Sequence, residues 1–334
     1  MRPGQLESQV SMTRSQLGDV SGIPFPTSIS QEALQYLSGS PAYGGDSPPA
    51  DLTDTEAWLQ YVKSRNKIVA EALGKAMPAD LPVERSEFQI GGVTNFVIRP
   101  TSVPDDPETP IFLELHGGGL IMGSGELCRL MATGGALRRN MITWSVDYRM
   151  PPLHPYPAAL DDCIATYRKA LENRAPEDIF VGGGSAGGNL AASLLLRAKD
   201  EGLPMPAALV LITPEVDLTE SGDSFHTLLG LDPILSPLMQ VNLLYANGHD
   251  LSDPYLSPLF GDVTGFPPTL LQTGTRDLFL SNTVRMHRKL RAAGVEAELH
   301  VFEAMPHGGF GGMTPEDQDL AREVGLFLQS HRRR

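Results

Sequence analysis

The sequence predicts an α/β protein: a mainly parallel sheet with helices on both faces and a helical cap. Three features predict it. Strand and helix patterns alternate from residue 111 to the C-terminus, an antiparallel strand pair at 87–90 and 95–99 precedes them, and one long interval, 214–268, breaks the alternation. Strands that alternate with helices are joined by crossovers, which cover both faces of a parallel sheet.

Residues 1–50 are rich in Pro, Gly and Ser, with one short helical pattern at 30–37, and read as mobile or draped over the rest. A firmer helix follows over 54–74. Thr53 and Glu56 have the capping-box spacing, and Trp58, Tyr61, Val62, Ile68, Val69, Ala72 and Leu73 form its apolar stripe. The Gly91-Gly92 turn joins the antiparallel pair. Strands are then expected at 111–115, 142–146, 179–182, 208–212, 269–273 and 298–302, and helices at 126–139, 157–172, 186–200 and 281–293. Thr314 can cap a last helix whose first position suits Pro315 and whose buried face is Leu320, Val324, Phe327 and Leu328. The interval between Pro214 and Pro268 is too long for a simple connection, which reads as a lid or binding segment. The expected organisation is therefore a cap from residues 1–80 and 214–265 over a core from residues 81–213 and 266–334.

Composition narrows the function classes. The 334 residues carry 40 acidic and 26 basic side chains, a formal charge of −14, whereas nucleic acid is bound chiefly by Lys and Arg. Only His331-Arg332-Arg333-Arg334 is locally basic, and no nucleic-acid partner is expected. Met1 to Ser30 shows no secretory pattern, and the longest apolar stretch, near 207–212, is far short of the roughly 20 residues of a membrane span. Cys128 and Cys163 make neither a disulfide framework nor a zinc spacing, so both are expected to be reduced and at least partly buried, in the cytoplasm.

The sharpest motif is Gly183-Gly184-Ser185-Ala186-Gly187, set between an expected strand and an expected helix. This G-x-S-x-G pattern suits a nucleophile elbow, where a serine on a strained turn needs neighbours without bulk. The same stretch admits another reading, because Gly182, Gly184 and Gly187 spell a dinucleotide fingerprint. That fingerprint wants an acid at the end of the next strand, and Asp200 and Glu201 fall at a helix end instead. A plain tight turn is the third reading.

A second motif, His116-Gly117-Gly118-Gly119, follows the 111–115 strand, and its chance occurrence is on the order of 0.01 at this Gly and His content. Consecutive glycines let a loop turn its amides toward the oxygen of a tetrahedral intermediate. Gly117, Gly118 and Ala186 are the expected oxyanion donors, with His116 bracing the loop. An acyl-transfer site also needs an acid and a histidine, in the chain order Ser, Asp, His. Asp277 follows the 269–273 strand and His307 follows the 298–302 strand, at the carboxyl ends where an open α/β sheet forms its crevice. Asp217, Asp253 and Asp262 are rival acids but lie in the irregular interval, His287 and His300 lie within elements, and His226 and His249 belong to the cap. Glu114, inside an apolar strand, calls for a structural partner.

These blocks, together with 147–159 (DYRMPPLHPYPAA), resemble the hormone-sensitive-lipase-like family of bacterial esterases (family IV), within the α/β-hydrolase superfamily. The likeness covers about residues 80–330. It implies an α/β-hydrolase fold with an eight-stranded, mostly parallel sheet, a Ser185, Asp277 and His307 triad, and a cap. Two stretches depart from the family pattern: Gly184 stands where an acid usually precedes the nucleophile, and 151–154 reads PPLH in place of APEH.

The resulting expectation is a serine carboxylesterase, with no cofactor and no metal, that cleaves short to medium acyl esters through an acyl-enzyme. An apolar pocket is expected from Phe225, Leu228, Leu229, Leu231, Ile234 and Leu235 of the cap and Leu120, Ile121 and Met305 near the catalytic loops. A lactone or bulky natural ester is the alternative on the same site. Of other classes, a nicotinamide oxidoreductase and a non-catalytic ligand receptor stay open. The partner is a small-molecule ester, and a homodimer is left open.

Overall fold

The computed structural model describes residues 23–40, 47–78 and 80–333, so the reading of 1–22 and of Arg334 lies outside the described residues. Two helices, α1 (Gln31–Gly39) and α2 (Thr55–Ala76), precede an antiparallel pair, β1 (Val83–Ile90) and β2 (Val93–Pro100). The alternation then runs β3 (Ile111–Leu115), α3 (Glu126–Arg139), β4 (Ile142–Val146), α4 (Ala158–Asn173), β5 (Ile179–Gly184), α5 (Ala186–Asp200) and β6 (Ala208–Ile212). Short helices α6 (Ser224–Thr227) and α7 (Met239–Ala246) occupy the irregular interval. The chain finishes with β7 (Thr269–Gly274), α8 (Leu280–Ala292), β8 (Ala297–Phe302) and α9 (Pro315–Ser330).

The eight strands form one sheet in the order β1-β2-β4-β3-β5-β6-β7-β8. β2 pairs antiparallel with β4, and every pair from β4 to β8 is parallel. Period-2 alternation builds two cores. Ile111, Leu113, Leu115, Val181, Leu209, Leu211 and Leu271 pack with α4, α5 and α8 on one face. Phe112, Phe180, Val210 and Leu270 meet Val324, Phe327 and Leu328 of α9 on the other. β5 is central, so the turn that leaves it is held from both sides.

One expected cap is corrected. The N-cap of α2 is Asp54, whose side chain accepts from Ala57 N, while Thr53 Oγ1 donates to Asp51. An acid one residue nearer the helix supplies the acceptor, so the Thr53 and Glu56 pair makes no capping box. Ser30 caps α1, and at α9 the expected Thr314 cap is present, with Asp317 closing the reciprocal bond. Cys128 and Cys163 are free and buried, and Glu114 has its partner, Arg139, at 2.8 Å. Among the described residues, no helix is long and apolar enough to cross a membrane.

Part of the irregular interval packs against α2. Trp58 of α2 is fully buried against Ile121 and against Val241 and Leu244 of α7. α1 instead packs Ala33 and Leu37 on Ala304, Met305 and Phe310, the loop that follows β8.

Candidate active site

β5 ends in a turn that few side chains tolerate. Ser185 has φ 55° and ψ −124°, a positive φ that only a surrounding structure can hold in place. Ser185 N donates to Ile212 O at 2.9 Å, and Ser185 O accepts from Gly188 N, Asn189 N and Glu215 N at 2.9, 3.2 and 3.2 Å. The turn thus hangs between the end of β6 and the first turn of α5, whose positive end faces the serine.

The loop after β3 lies against this turn. A Cβ on Gly117 would sit 3.0 Å from Gly184 O and 3.5 Å from Ser185 Cβ, and one on Gly187 would sit 1.9 Å from Leu115 O. Glycine is thus required where the two backbones touch. Gly118 has φ 131°, and its carbonyl accepts from Ile121 N and Met122 N at 3.2 and 2.9 Å, which closes the loop. Among the described residues, the N–H groups of Gly117, Gly118 and Ala186 meet no protein acceptor. His116 braces the loop from below. Its ring stacks on Tyr148 at 4.0 Å, its Nδ1 bonds Gly117 O at 2.9 Å, and the Tyr148 hydroxyl donates to His116 O at 2.6 Å. Burial lowers its pKa to about 4, so the imidazole is neutral at physiological pH.

Asp277 and His307 come together from the ends of β7 and β8. Asp277 is fully buried, and its Oδ1 accepts from His307 Nδ1 at 3.0 Å and from Phe279 N at 3.0 Å, while Oδ2 accepts from Thr273 Oγ1 at 2.6 Å. A carboxylate acceptor at Nδ1 assigns the proton there and leaves Nε2 as the acceptor. The two loops are also tied directly, by Ala304 N to Thr275 Oγ1 at 2.7 Å and Arg276 N to Met305 O at 3.2 Å. Phe279 meets the His307 ring edge-on at 5.0 Å. Among the described residues, Ser185 Oγ makes no hydrogen bond, so the contact between hydroxyl and imidazole is open in this structure. Such bonds commonly tighten only when substrate is bound.

The rival acids have other work. Asp217 pairs with Arg285 at 2.6 Å, Asp262 with Lys199 at 2.8 Å, and Asp253 accepts from Tyr255 N. Two acids that the sequence reading did not single out are buried here. Asp232, from the irregular interval, accepts from Ile234 N and Leu235 N with Oδ1 and from Leu278 N and His307 N with Oδ2. Glu215, whose own N–H binds Ser185 O, is 1% exposed, and both its carboxyl oxygens lack a partner among the described residues. Burial, with Glu220 nearby, pushes its carboxyl up to about 8, against a counter-effect from Asn242. The Asn242 Oδ1 atom is likewise without a partner among the described residues. The Asp-Pro step at 232–233, an acid able to form an Asx turn, was the available signal for Asp232; nothing local marked Glu215.

Of the apolar residues expected to line a pocket, Phe225 packs on Leu278 and Phe279, joined by Leu228 and Leu235. Leu120 belongs to the core, Ile121 to the contact with α2, and Met305 to the contact with α1. His116, Cys128 and Asp147 could offer donors to a metal within 4.8 Å of one another. Each has another bond: His116 to Gly117 O, Cys128 to Ser145 Oγ, and Asp147 from Gly125 N.

A family described as having the alpha/beta hydrolase fold matches residues 112–310. An esterase of Acinetobacter venetianus is 30% identical over 83% of this chain and 92% of its own length. The carboxylesterase NlhH of Mycobacterium tuberculosis is 34% identical over 69% of this chain and 76% of its own, and an acetyl-hydrolase of Streptomyces hygroscopicus 31% identical over 65% and 75%. Among solved structures, an esterase superposes with a TM-score of 0.85 at 35% identity, over 93% of this chain and 97% of its own. An esterase from the bacterial hormone-sensitive lipase family gives 0.79 at 30% identity, over 90% and 98%.

Proposed function

Because this chain belongs to the alpha/beta hydrolase fold family, as a carboxylic ester hydrolase of its hormone-sensitive-lipase-like group, we propose that it cleaves short to medium acyl esters through Ser185, His307 and Asp277. The observation that carries the reading is the buried 3.0 Å bond between Asp277 Oδ1 and His307 Nδ1, formed beyond the carboxyl ends of β7 and β8 in the same parallel sheet whose β5 leads into Ser185. Ser185 Oγ attacks the ester carbonyl as His307 Nε2 takes its proton, and Asp277 holds the imidazole tautomer and balances the imidazolium. The tetrahedral oxygen is received by the amides of Gly117, Gly118 and Ala186. His307 then protonates the leaving alcohol and activates the water that hydrolyses the acyl-enzyme.

The described residues among 1–80, with 214–265, form the cap in this reading, supported by the packing of Trp58 against Val241 and Leu244. Short acyl groups are favoured by the acetyl-hydrolase relative and by the bulky Phe225, Leu278 and Phe279 cluster beside His307. Two glycines of the dinucleotide reading are accounted for by backbone contact, since a Cβ at Gly182 would lie 2.5 Å from Val210 O of β6 and one at Gly187 would lie 1.9 Å from Leu115 O of β3.

The test is Ser185→Ala assayed on p-nitrophenyl esters of increasing chain length. Turnover and covalent labelling by a phosphonate are both expected to vanish, and rates in the native protein to fall beyond medium chains. Undiminished labelling of the Ser185→Ala protein overturns the nucleophile assignment.

A further inference from the structure

We propose that Asp232 is a positioning residue of the ester-cleaving site, fastening the Asp277 and His307 loops to one buried carboxylate and setting its negative charge against the imidazolium formed in turnover. The proposal rests on the triad reading above and assigns a residue outside it.

Asp232 is fully buried, and four backbone N–H groups point at it. Two belong to its own turn, Ile234 N at 2.8 Å and Leu235 N at 3.2 Å. The other two come from elsewhere in the chain: Leu278 N at 2.9 Å, next to Asp277, and His307 N at 3.3 Å. One oxygen therefore spans both loops, across sequence separations of 46 and 75 residues. Four donors and no acceptor match an ionised carboxylate, whereas a protonated one would aim its O–H at an N–H. Thr275 and Arg276 also bond residues 304 and 305, but among the described residues the backbone N–H of His307 itself is held by Asp232, whereas Asp277 bonds the ring.

The charge has a second consequence. The titratable groups that face it are His307, Asp277 and, from α1, Tyr36, whose phenol feels the carboxylate. Among these only His307 can become a cation, so the carboxylate stands against the imidazolium formed in turnover. Burial, the proximity of His307 and that of Asp277 act on Asp232 itself, the first raising its pKa most. The irregular interval is thereby coupled to the chemistry and not merely laid over it.

Asp232→Asn keeps the shape but turns an NH2 group toward two of the four donors. The expected result is a fall in kcat of about a hundredfold, as a misplacement of about 1 Å implies, with KM within about threefold. Asp232→Glu keeps the charge but displaces the loops, and should also lower kcat with KM within about threefold. A folded Asp232→Asn protein with native kcat overturns the proposal. Should Asp232→Asn not fold, native kcat in Asp232→Glu overturns it, and reduced kcat with KM within about threefold supports it. Ser185→Ala is run alongside: its continued turnover defeats the triad reading, whereas a dead Ser185→Ala beside a fully active Asp232→Asn defeats this inference alone.

Discussion

Replacing Gly187 by Ala tests whether the contact between the two glycine-rich turns sets the geometry of the site. The added Cβ would lie 1.9 Å from Leu115 O, 2.6 Å from Leu115 C and 2.8 Å from His116 O. The Ser185 turn and the end of β3 must therefore separate by roughly 1.5 Å, the shortfall between 1.9 Å and the 3.4 Å at which contacts become ordinary. No flexible side chain can absorb this, because every atom met is backbone. The separation falls between Ser185 and the amides of Gly117 and Gly118, and misplacement by about 1 Å costs about a hundredfold in rate. Loss of one oxyanion donor costs about 100- to 1000-fold. kcat on p-nitrophenyl butyrate is expected to drop by about 100-fold or more, at least about 2.7 kcal/mol of barrier, with a smaller change in KM. Overpacking should also destabilise the fold by about 1–3 kcal/mol. Gly325→Ala is the control: it adds a Cβ to α9 with nothing within 4 Å, and should keep activity while slightly raising Tm. A Gly187→Ala protein with kcat within about threefold of native and unchanged Tm would refute the reasoning.

Glu215→Gln should alter the pH dependence of stability. The carboxyl is raised from 4.5 to about 8, so the folded state keeps a proton that the unfolded state has lost. Stability from this group is full below about 4.5 and declines toward 8 by about 1.4 kcal/mol per pH unit. Glutamine cannot ionise, so thermal melts should show the Glu215→Gln protein losing less Tm than native between about pH 6 and pH 9; parallel curves would reject the buried neutral acid. Tyr148→Phe removes the donor held 2.6 Å from His116 O, and should cost about 1–3 kcal/mol in denaturant titration. It should also lower kcat severalfold as the oxyanion loop loosens, and an unchanged denaturation midpoint would count against that brace.

Much of the site was legible because its signals are local. HGGG after β3 and GGSAG after β5 each occupy five or fewer residues at a strand end, and parallel-sheet topology brings such ends together whatever lies between them. Asp277 and His307 could be chosen by the same rule, each standing just beyond an apolar run. The Thr53 cap failed because Thr53 and Asp54 are both good capping residues, and only backbone geometry decides which one meets Ala57 N. Glu114 could be read as needing a partner, but Arg139, 25 residues away on α3, is identified only once the helix lies across the sheet.

By itself the sequence determined the order of strands and helices, the parallel core, the two glycine-rich turns and the residues that belong at the carboxyl ends of the sheet. These follow from side-chain periodicity and from backbone angles that few residues accept, both set within a few positions of the chain. Tertiary structure alone decided what surrounds those residues: Asp232 tied to two loops, Glu215 left to hold its proton, His116 held neutral under Tyr148. Each depends on burial and on partners tens of residues distant, and desolvation acts only on groups that folding has removed from water.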